Sequence, residues 1–308
     1  MRAAFIQNLT ECAKTDERIW LLVGDLGYSV VEEFRDTFPN RFIDIGVAEQ
    51  DMIGIATGLA LSGNIVFVYS IANFPTLRCL EQIRNDACYH NANVKIVAVG
   101  GGFVYGAQGM SHHATEDLAI MRSLPNMIVV APGDPVEAAL ATNAITQYAG
   151  TCYLRLSKSK EIIVHKIQPH FELGKAITIR EGKDVTLICT GSILNNTVLA
   201  AERLAKFGIH AQVLSMHTIK PVDTEVILSA ANETKGIITI EEHNIIGGLG
   251  SAVAEVLAEM SCLYVPFKRI ALSDLFSQVV GSQEYLRTIY GLSVENICKQ
   301  TQNLLGGN

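Results

Sequence analysis

Two stretches of the chain carry side chains able to do chemistry. The first is Arg41-Phe-Ile-Asp-Ile-Gly-Val-Ala-Glu-Gln-Asp-Met52, where an apolar run ends at Gly46 and a helical pattern runs from Ala48 to Ser62. Glu49 falls in its first turn. Behind it stand Ile53, Gly54, Ile55, Ala56, Gly58, Leu59, Ala60 and Leu61, apolar nearly all round, which predicts a helix buried on most sides. A carboxyl at the mouth of such a helix has two uses. It complements the positive helix N-terminus, or, once desolvated, it holds and releases a proton during a reaction. The second stretch is the glycine-rich run Gly100-Gly-Gly-Phe-Val-Tyr-Gly-Ala-Gln-Gly109, which leads into Ser111-His112-His113. A lone histidine is usually structural, but an adjacent pair on a loop is harder to absorb into a core. Other signatures fail. There is no G-x-x-x-x-G-K-[ST], and the glycines at 100–109 do not open a helix as a dinucleotide site requires. Gly247-Gly-Leu-Gly250 precedes a helix but lacks the G-x-G-x-x-G spacing, so it reads as a tight turn. No Ser/His/Asp arrangement or metal-ligand spacing stands out.

The elements that must position these residues alternate. Helical patterns lie over 2–14, 48–62, 74–90 and 135–147, with a short one from Glu116. Strand-like runs lie at 19–24, 42–46, 64–69, 94–100, 127–131 and 152–156. Short apolar strands bounded by glycine and separated by helices predict a mostly parallel sheet wrapped on both faces. Residues 157–184 break the rhythm and read as a linker with short antiparallel strands. A second run follows, with strands at 185–190, 210–214, 236–241 and 264–271. Its helices lie at 194–207, 223–231 and 250–260, and 294–304 closes the chain. Asp134-Pro135 marks a helix start. The expected fold is α/β, two doubly wound domains: 1–165, a linker at 166–183, and 184–308.

Bulk properties narrow the function. A chain of 308 residues, half of them hydrophobic, is long enough for two cores, and no apolar stretch reaches the length of a membrane span. The N-terminus has no signal-peptide core. A net charge of −7 with no basic stripe argues against nucleic acid. The seven cysteines are odd in number, scattered and without C-x-x-C, and read as core thiols of a cytoplasmic protein.

In combination these features resemble one family. Arg41-Phe-x-Asp-x-Gly-x-Ala-Glu-Gln, Ser70-x-Ala-x-Phe74-x-x-x-Arg78-x-x-Glu-Gln82, Ser111-His-His113-x-x-Glu-Asp-Leu118-Ala, Arg122-x-x-Pro-Asn-Met127 and Pro132-x-Asp134 are similar to the pyrimidine-binding domain of transketolase. Thr190-Gly-Ser192, Pro221-Val-Asp223, Glu241-Glu-His243 and Gly247-Gly-Leu-Gly250 resemble its C-terminal domain. The domain that binds the diphosphate and its magnesium is missing, so the chain resembles the second subunit of a split transketolase.

The resemblance implies transfer of a two-carbon ketol unit from a ketose (phosphate) to an aldehyde or aldose. It implies thiamine diphosphate as cofactor, with Mg2+ held by the partner chain. It implies that Glu49 hydrogen-bonds N1′ of the aminopyrimidine and so assists loss of the thiazolium C2 proton. Phe74 packs on the pyrimidine, with Ile71 where the family usually has a second aromatic. Asp25 belongs to the cofactor side, and His112 faces the substrate. Arg2 and Ser29 match positions that hold a sugar phosphate. Gln108 stands where the family has an aspartate that contacts a substrate hydroxyl, and Lys158 where it has a second phosphate arginine. Gly100 replaces a further histidine. The expected assembly is a heterotetramer with the diphosphate-binding subunit, in which two copies of this chain meet across a two-fold axis. Two other readings stand beside it: the β subunit of a 2-oxoacid dehydrogenase or another thiamine-diphosphate-dependent decarboxylating enzyme, and a non-catalytic assembly subunit.

Overall fold

The computed structural model describes residues 1–158, 161–259 and 265–306. The first half comprises α1 (Arg2–Thr15), β1 (Ile19–Val23), α2 (Glu32–Thr37), β2 (Phe42–Asp44), α3 (Glu49–Leu61), β3 (Ile65–Ile71), α4 (Leu80–Gln82), β4 (Val94–Val99), α5 (Asp117–Ser123), β5 (Met127–Val130), α6 (Pro135–Gln147) and β6 (Thr151–Leu156). Its six strands pair in parallel in the order β5-β6-β4-β3-β1-β2. Period-2 alternation sends side chains to both faces. On β3, Val66 and Val68 face a core shared with Met52, Ile53 and Leu118, while Phe67 and Tyr69 face one shared with Phe5, Leu9 and Phe34. Burial on both faces is why these strands read as unbroken apolar runs.

The second half contains β7 (Ile177–Arg180), β8 (Val185–Thr190), α7 (Leu194–Ala205), β9 (Ala211–Ser215), β10 (Thr218–Lys220), α8 (Thr224–Glu233), β11 (Ile237–Asn244), α9 (Leu249–Glu259), β12 (Phe267–Leu272), α10 (Gln283–Ile289) and α11 (Val294–Leu304). Its sheet runs β12-β11-β8-β9-β7, parallel except for β7. β10 leaves that sheet and pairs antiparallel with β5 at the edge of the first one, Thr218 opposite Val130. Ile219 thereby joins the first core. The chain boundary near 184 is therefore not a clean boundary between the sheets.

Asp134 caps α6, its carboxylate accepting from Glu137 N–H at 2.9 Å with Pro135 in the first turn. Three other features depart from expectation. The helix predicted over 74–90 begins only at Leu80 and widens to π winding over Ile83–Cys88. Residues 72–79 form turns instead, tied by Thr76 Oγ1 donating to Ala72 O at 2.6 Å. α2 and α10 are helices that the sequence pattern did not announce. Finally, α3 buries only Glu49, Met52, Ile53, Ala56, Thr57 and Ala60, and Gly54, Ile55, Gly58 and Leu61 stand at or near the solvent on its other side. Cys12 is half-buried, Cys79, Cys88, Cys152, Cys189 and Cys298 are buried, and all six are free thiols. Cys262 lies outside the described residues.

Candidate active site

In an open parallel sheet, ligands bind beyond the carboxyl ends of the strands, where neighbouring connections leave in opposite directions. Here that point lies between β1 and β3, because the chain goes from β1 to β2 on one side and then returns to β3 on the other. Glu49 follows β2, Phe74 follows β3, the glycine run follows β4 and Lys158 follows β6. The topology thus gathers residues scattered over more than a hundred positions at one sheet edge.

Glu49 opens α3 and is 1 % exposed. Gly24, at the end of β1, lies against it; a Cβ there would sit 3.6 Å from Glu49 Oε1. Arg78 Nη1 donates to Glu49 Oε2 at 2.7 Å, and the same guanidinium lies 4.6 Å from the centre of the Phe74 ring. The irregular turns at 72–79 make this possible, bringing Phe74 and Arg78 together at the strand end. The His112 ring meets Phe74 edge-on at 5.4 Å, and its Nδ1 lies 3.0 Å from Ser111 Oγ. Ile71, half-buried, ends β3, and its carbonyl accepts from Phe74 N–H at 2.8 Å. A cleft of about 310 Å3 opens beside these residues, walled by Phe74, Arg78 and Met110 from one domain and by Leu275 and Phe276 from the other.

Beyond His112 comes Tyr105, its ring 6.2 Å away. Gly100 has φ +109°, and a Cβ on it would overlap the Tyr105 ring. The tyrosine fills the space beside the position where the resemblance led one to look for a histidine. Lys158 Nζ lies 5.0 Å from the centre of that ring. Burial raises the Tyr105 phenol above its ordinary range, and the Arg2 charge partly counters this. Burial likewise raises Tyr69, again opposed by Arg2. The half-buried cations Arg2 and Lys158 thus stand beside the buried phenols of Tyr69 and Tyr105.

Asp25 and Ser29 lie on the exposed loop after β1, both left-handed, with φ of 51° and 62°. Two non-glycine residues held this way in one loop cost on the order of 1 kcal/mol each or more, a strain that concentrates at functional sites. Asp25 N–H donates to Asp44 Oδ1 at 2.9 Å, its carboxylate accepts from Tyr28 at 2.7 Å, and Ser29 N–H donates to Glu32 Oε1 at 2.7 Å. Gln108 is exposed on a 3-10 turn and makes no side-chain hydrogen bond among the described residues. His113 does not share the outlook of His112. It is buried, its Nε2 lies 3.1 Å from Gly106 O, and its ring packs edge-on against Phe103. Among the described residues no three His, Cys, Asp or Glu side chains gather as a metal requires, and no helix is long and apolar enough to cross a membrane.

Sequence reasoning passed over Arg78 and Tyr105. Arg78 sits four positions after Phe74 inside a motif already noted, and that spacing was the available signal. For Tyr105 the signal was weaker: an aromatic inside a glycine run whose first member had lost an expected side chain.

The comparisons with known proteins agree across the chain. Residues 1–161 match the family model described as transketolase, pyrimidine binding domain, and residues 174–297 the one described as transketolase, C-terminal domain. The chain is 39% identical over 300 residues to the 6-deoxy-6-sulfo-D-fructose transketolase subunit SqwH of Clostridium sp. (strain MSTE9), covering 97% of this chain and 92% of that one. It is also 39% identical over 300 residues to an apulose-4-phosphate transketolase subunit of Phocaeicola vulgatus, covering 97% and 95%. A solved structure described as a split gene transketolase, inactive beta4 tetramer, superposes with a TM-score of 0.91 at 37% identity over 99% of this chain and 98% of that one.

Proposed function

The chain belongs to the transketolase family, as the section made of its pyrimidine-binding and C-terminal domains, and from that premise we propose how its side chains serve the reaction. Together with a subunit that binds the diphosphate and its magnesium, it moves a two-carbon ketol unit from a ketose or ketose phosphate to an aldehyde or aldose. When bound, thiamine diphosphate supplies the carbon nucleophile that carries the unit. The residues present fit the pyrimidine end of that cofactor. A flat, hydrogen-bonding guanidinium already lies over Phe74 and donates to Glu49, so a stacking face and a buried carboxyl stand in the right relation for a flat ring with a hydrogen-bonding edge. The Arg78 side chain is 43 % exposed and can withdraw to solvent to make room. Phe74 and Ile71 then hold the ring, Glu49 holds or releases a proton at Oε2, and Asp25 lines the same edge.

His112 hydrogen-bonds hydroxyl or carbonyl oxygens of the sugar, and Gln108 adds an amide near the loop tip. Arg2, Lys158, Ser29 and Tyr105 receive an anionic group at the far end of the substrate. The relatives named for a sulfo-sugar and a sugar phosphate both act on substrates with such a group, which supports that assignment. The half-exposed side of α3, with Gly54, Ile55, Gly58 and Leu61, is where two copies of this chain meet in a heterotetramer with two partner subunits. Free thiols suit a cytoplasmic location.

The observation that carries the reading is the contiguous line Glu49, Arg78, Phe74, His112 at the switch point of the first sheet. The test is reconstitution with the diphosphate-binding partner, thiamine diphosphate and magnesium, assayed with ketose phosphates and sulfo-ketoses as donors and aldoses as acceptors. Products extended by two carbons are expected, and Glu49→Gln should cut the rate by about 100- to 10,000-fold. Equal rates in wild type and variant would remove Glu49 from its role. Carbon dioxide released from a 2-oxoacid with no ketose used would replace transfer by decarboxylation.

A further inference from the structure

The loop that carries Tyr105 and His112 does not stand alone; it is built onto the second domain. Glu242, near the carboxyl end of β11, is 2 % exposed and sits beneath it. Glu242 Oε1 accepts Phe103 N–H at 2.5 Å, and Oε2 accepts Arg287 Nε at 2.6 Å. Gln283 Nε2 lies 3.0 Å from both carboxylate oxygens. Arg287, 4 % exposed, is itself fixed by Ser192 Oγ at 2.8 Å and Glu284 Oε1 at 2.6 Å. The loop approaches so closely that a Cβ on Gly102, φ +65°, would come within 2.6 Å of Glu242. Further contacts lock the same segment: Gly281 N–H donates to Gly106 O at 3.3 Å, Asn244 N–H to Thr115 O at 2.8 Å, and Phe103 stacks on Tyr290 at 5.3 Å.

We infer that Glu242, held by Arg287, is a positioning residue for the transfer reaction: through Phe103 N–H it sets the shape of the loop that presents Tyr105 and His112. The second domain acts on substrate binding by this route, without touching substrate. The inference rests on the functional reading above only for its kinetic part. The physical reason is local. A buried carboxylate with three donors aimed at it, Phe103 N–H, Arg287 Nε and Gln283 Nε2, leaves the loop one arrangement. Without the carboxylate, Phe103 N–H loses its partner and the loop samples other shapes, so apparent affinity falls by the fraction of time the binding shape is present.

The experiment uses the assembly with its partner subunit and two independent readouts. Hydrogen exchange in Glu242→Ala should rise at residues 101–113 while β1 and β8 keep wild-type protection. The KM for the sugar substrates should rise by about 10- to 100-fold with kcat within about 3-fold, and thiamine diphosphate affinity should hold. Glu242→Gln, which retains an acceptor for Phe103 N–H, should recover most of the loop protection and of KM. Wild-type exchange in the loop of Glu242→Ala, or a lowered kcat with KM unchanged, would overturn the inference. Exchange as expected in an assembly that transfers no two-carbon unit would uphold the clamp and overturn the functional reading instead.

Discussion

Replacing Asp117 by alanine should open the interior of the first domain. The carboxylate is 1 % exposed and accepts three hydrogen bonds: Tyr153 Oη at 2.6 Å, Arg155 Nε at 2.8 Å and Arg155 Nη2 at 3.1 Å. Arg155, 5 % exposed, reaches on to Ala114 O at 2.7 Å and, across the domains, to Glu242 O at 3.1 Å. Asp117→Ala leaves a guanidinium buried without its counter-charge and a phenol without its acceptor. Breaking a buried pair from one side costs about 3–5 kcal/mol. With a urea m-value of about 3 kcal/mol/M, the unfolding midpoint should fall by about 1–1.7 M, read by circular dichroism. Tyr153→Phe removes one donor and leaves the pair intact, so it should cost less, about 1–3 kcal/mol. Adding Arg155→Met to Asp117→Ala should recover part of the loss, because the unpaired charge is then gone. A midpoint for Asp117→Ala within about 0.3 M of wild type would refute the reasoning.

Two further outcomes follow from other sites. Desolvation lowers His217 from 6.5 to about 4, while Glu137 and Asp223 pull the other way and His165 adds repulsion. A depressed pKa contributes stability that is full above pH 6.5 and is lost as pH falls toward 4, at most about 3 kcal/mol. His165 is the opposite case: desolvation opposes its charge, but the Glu137 hydrogen bond at 2.8 Å together with the negative charges of Glu137 and Asp134 outweighs this and raises it. Its contribution is present below 6.5 and fades as pH rises through the raised value. His217→Gln should therefore flatten the urea midpoint between pH 6.5 and 4, and an unchanged slope would contradict the assignment. Gly100→Ala, strained by its positive φ and overlapping Tyr105, should raise the sugar KM; Tyr105→Leu added to it should restore stability better than activity, measured by thermal melts and by transfer kinetics.

Much was legible in the chain by itself. Alternating apolar runs and helices specify two parallel sheets, because a strand buried on both faces must be apolar along its whole length. Glu49 stood out because an acid heads an otherwise apolar helix, and the motifs around Phe74 and His112 named the family. Tertiary structure alone decided how these residues meet. The irregular turns at 72–79 set Arg78 across both Phe74 and Glu49, which the helical pattern over the same residues concealed. β10 crossed to the first sheet because the edge of β5 offered an unpaired ladder, a long-range choice with no local signal in three residues. Glu242 looked like any acid in a motif. Its partners lie 139 positions earlier and 45 later. A buried carboxylate gains its meaning from donors that only folding delivers, and sequence spacing cannot announce them.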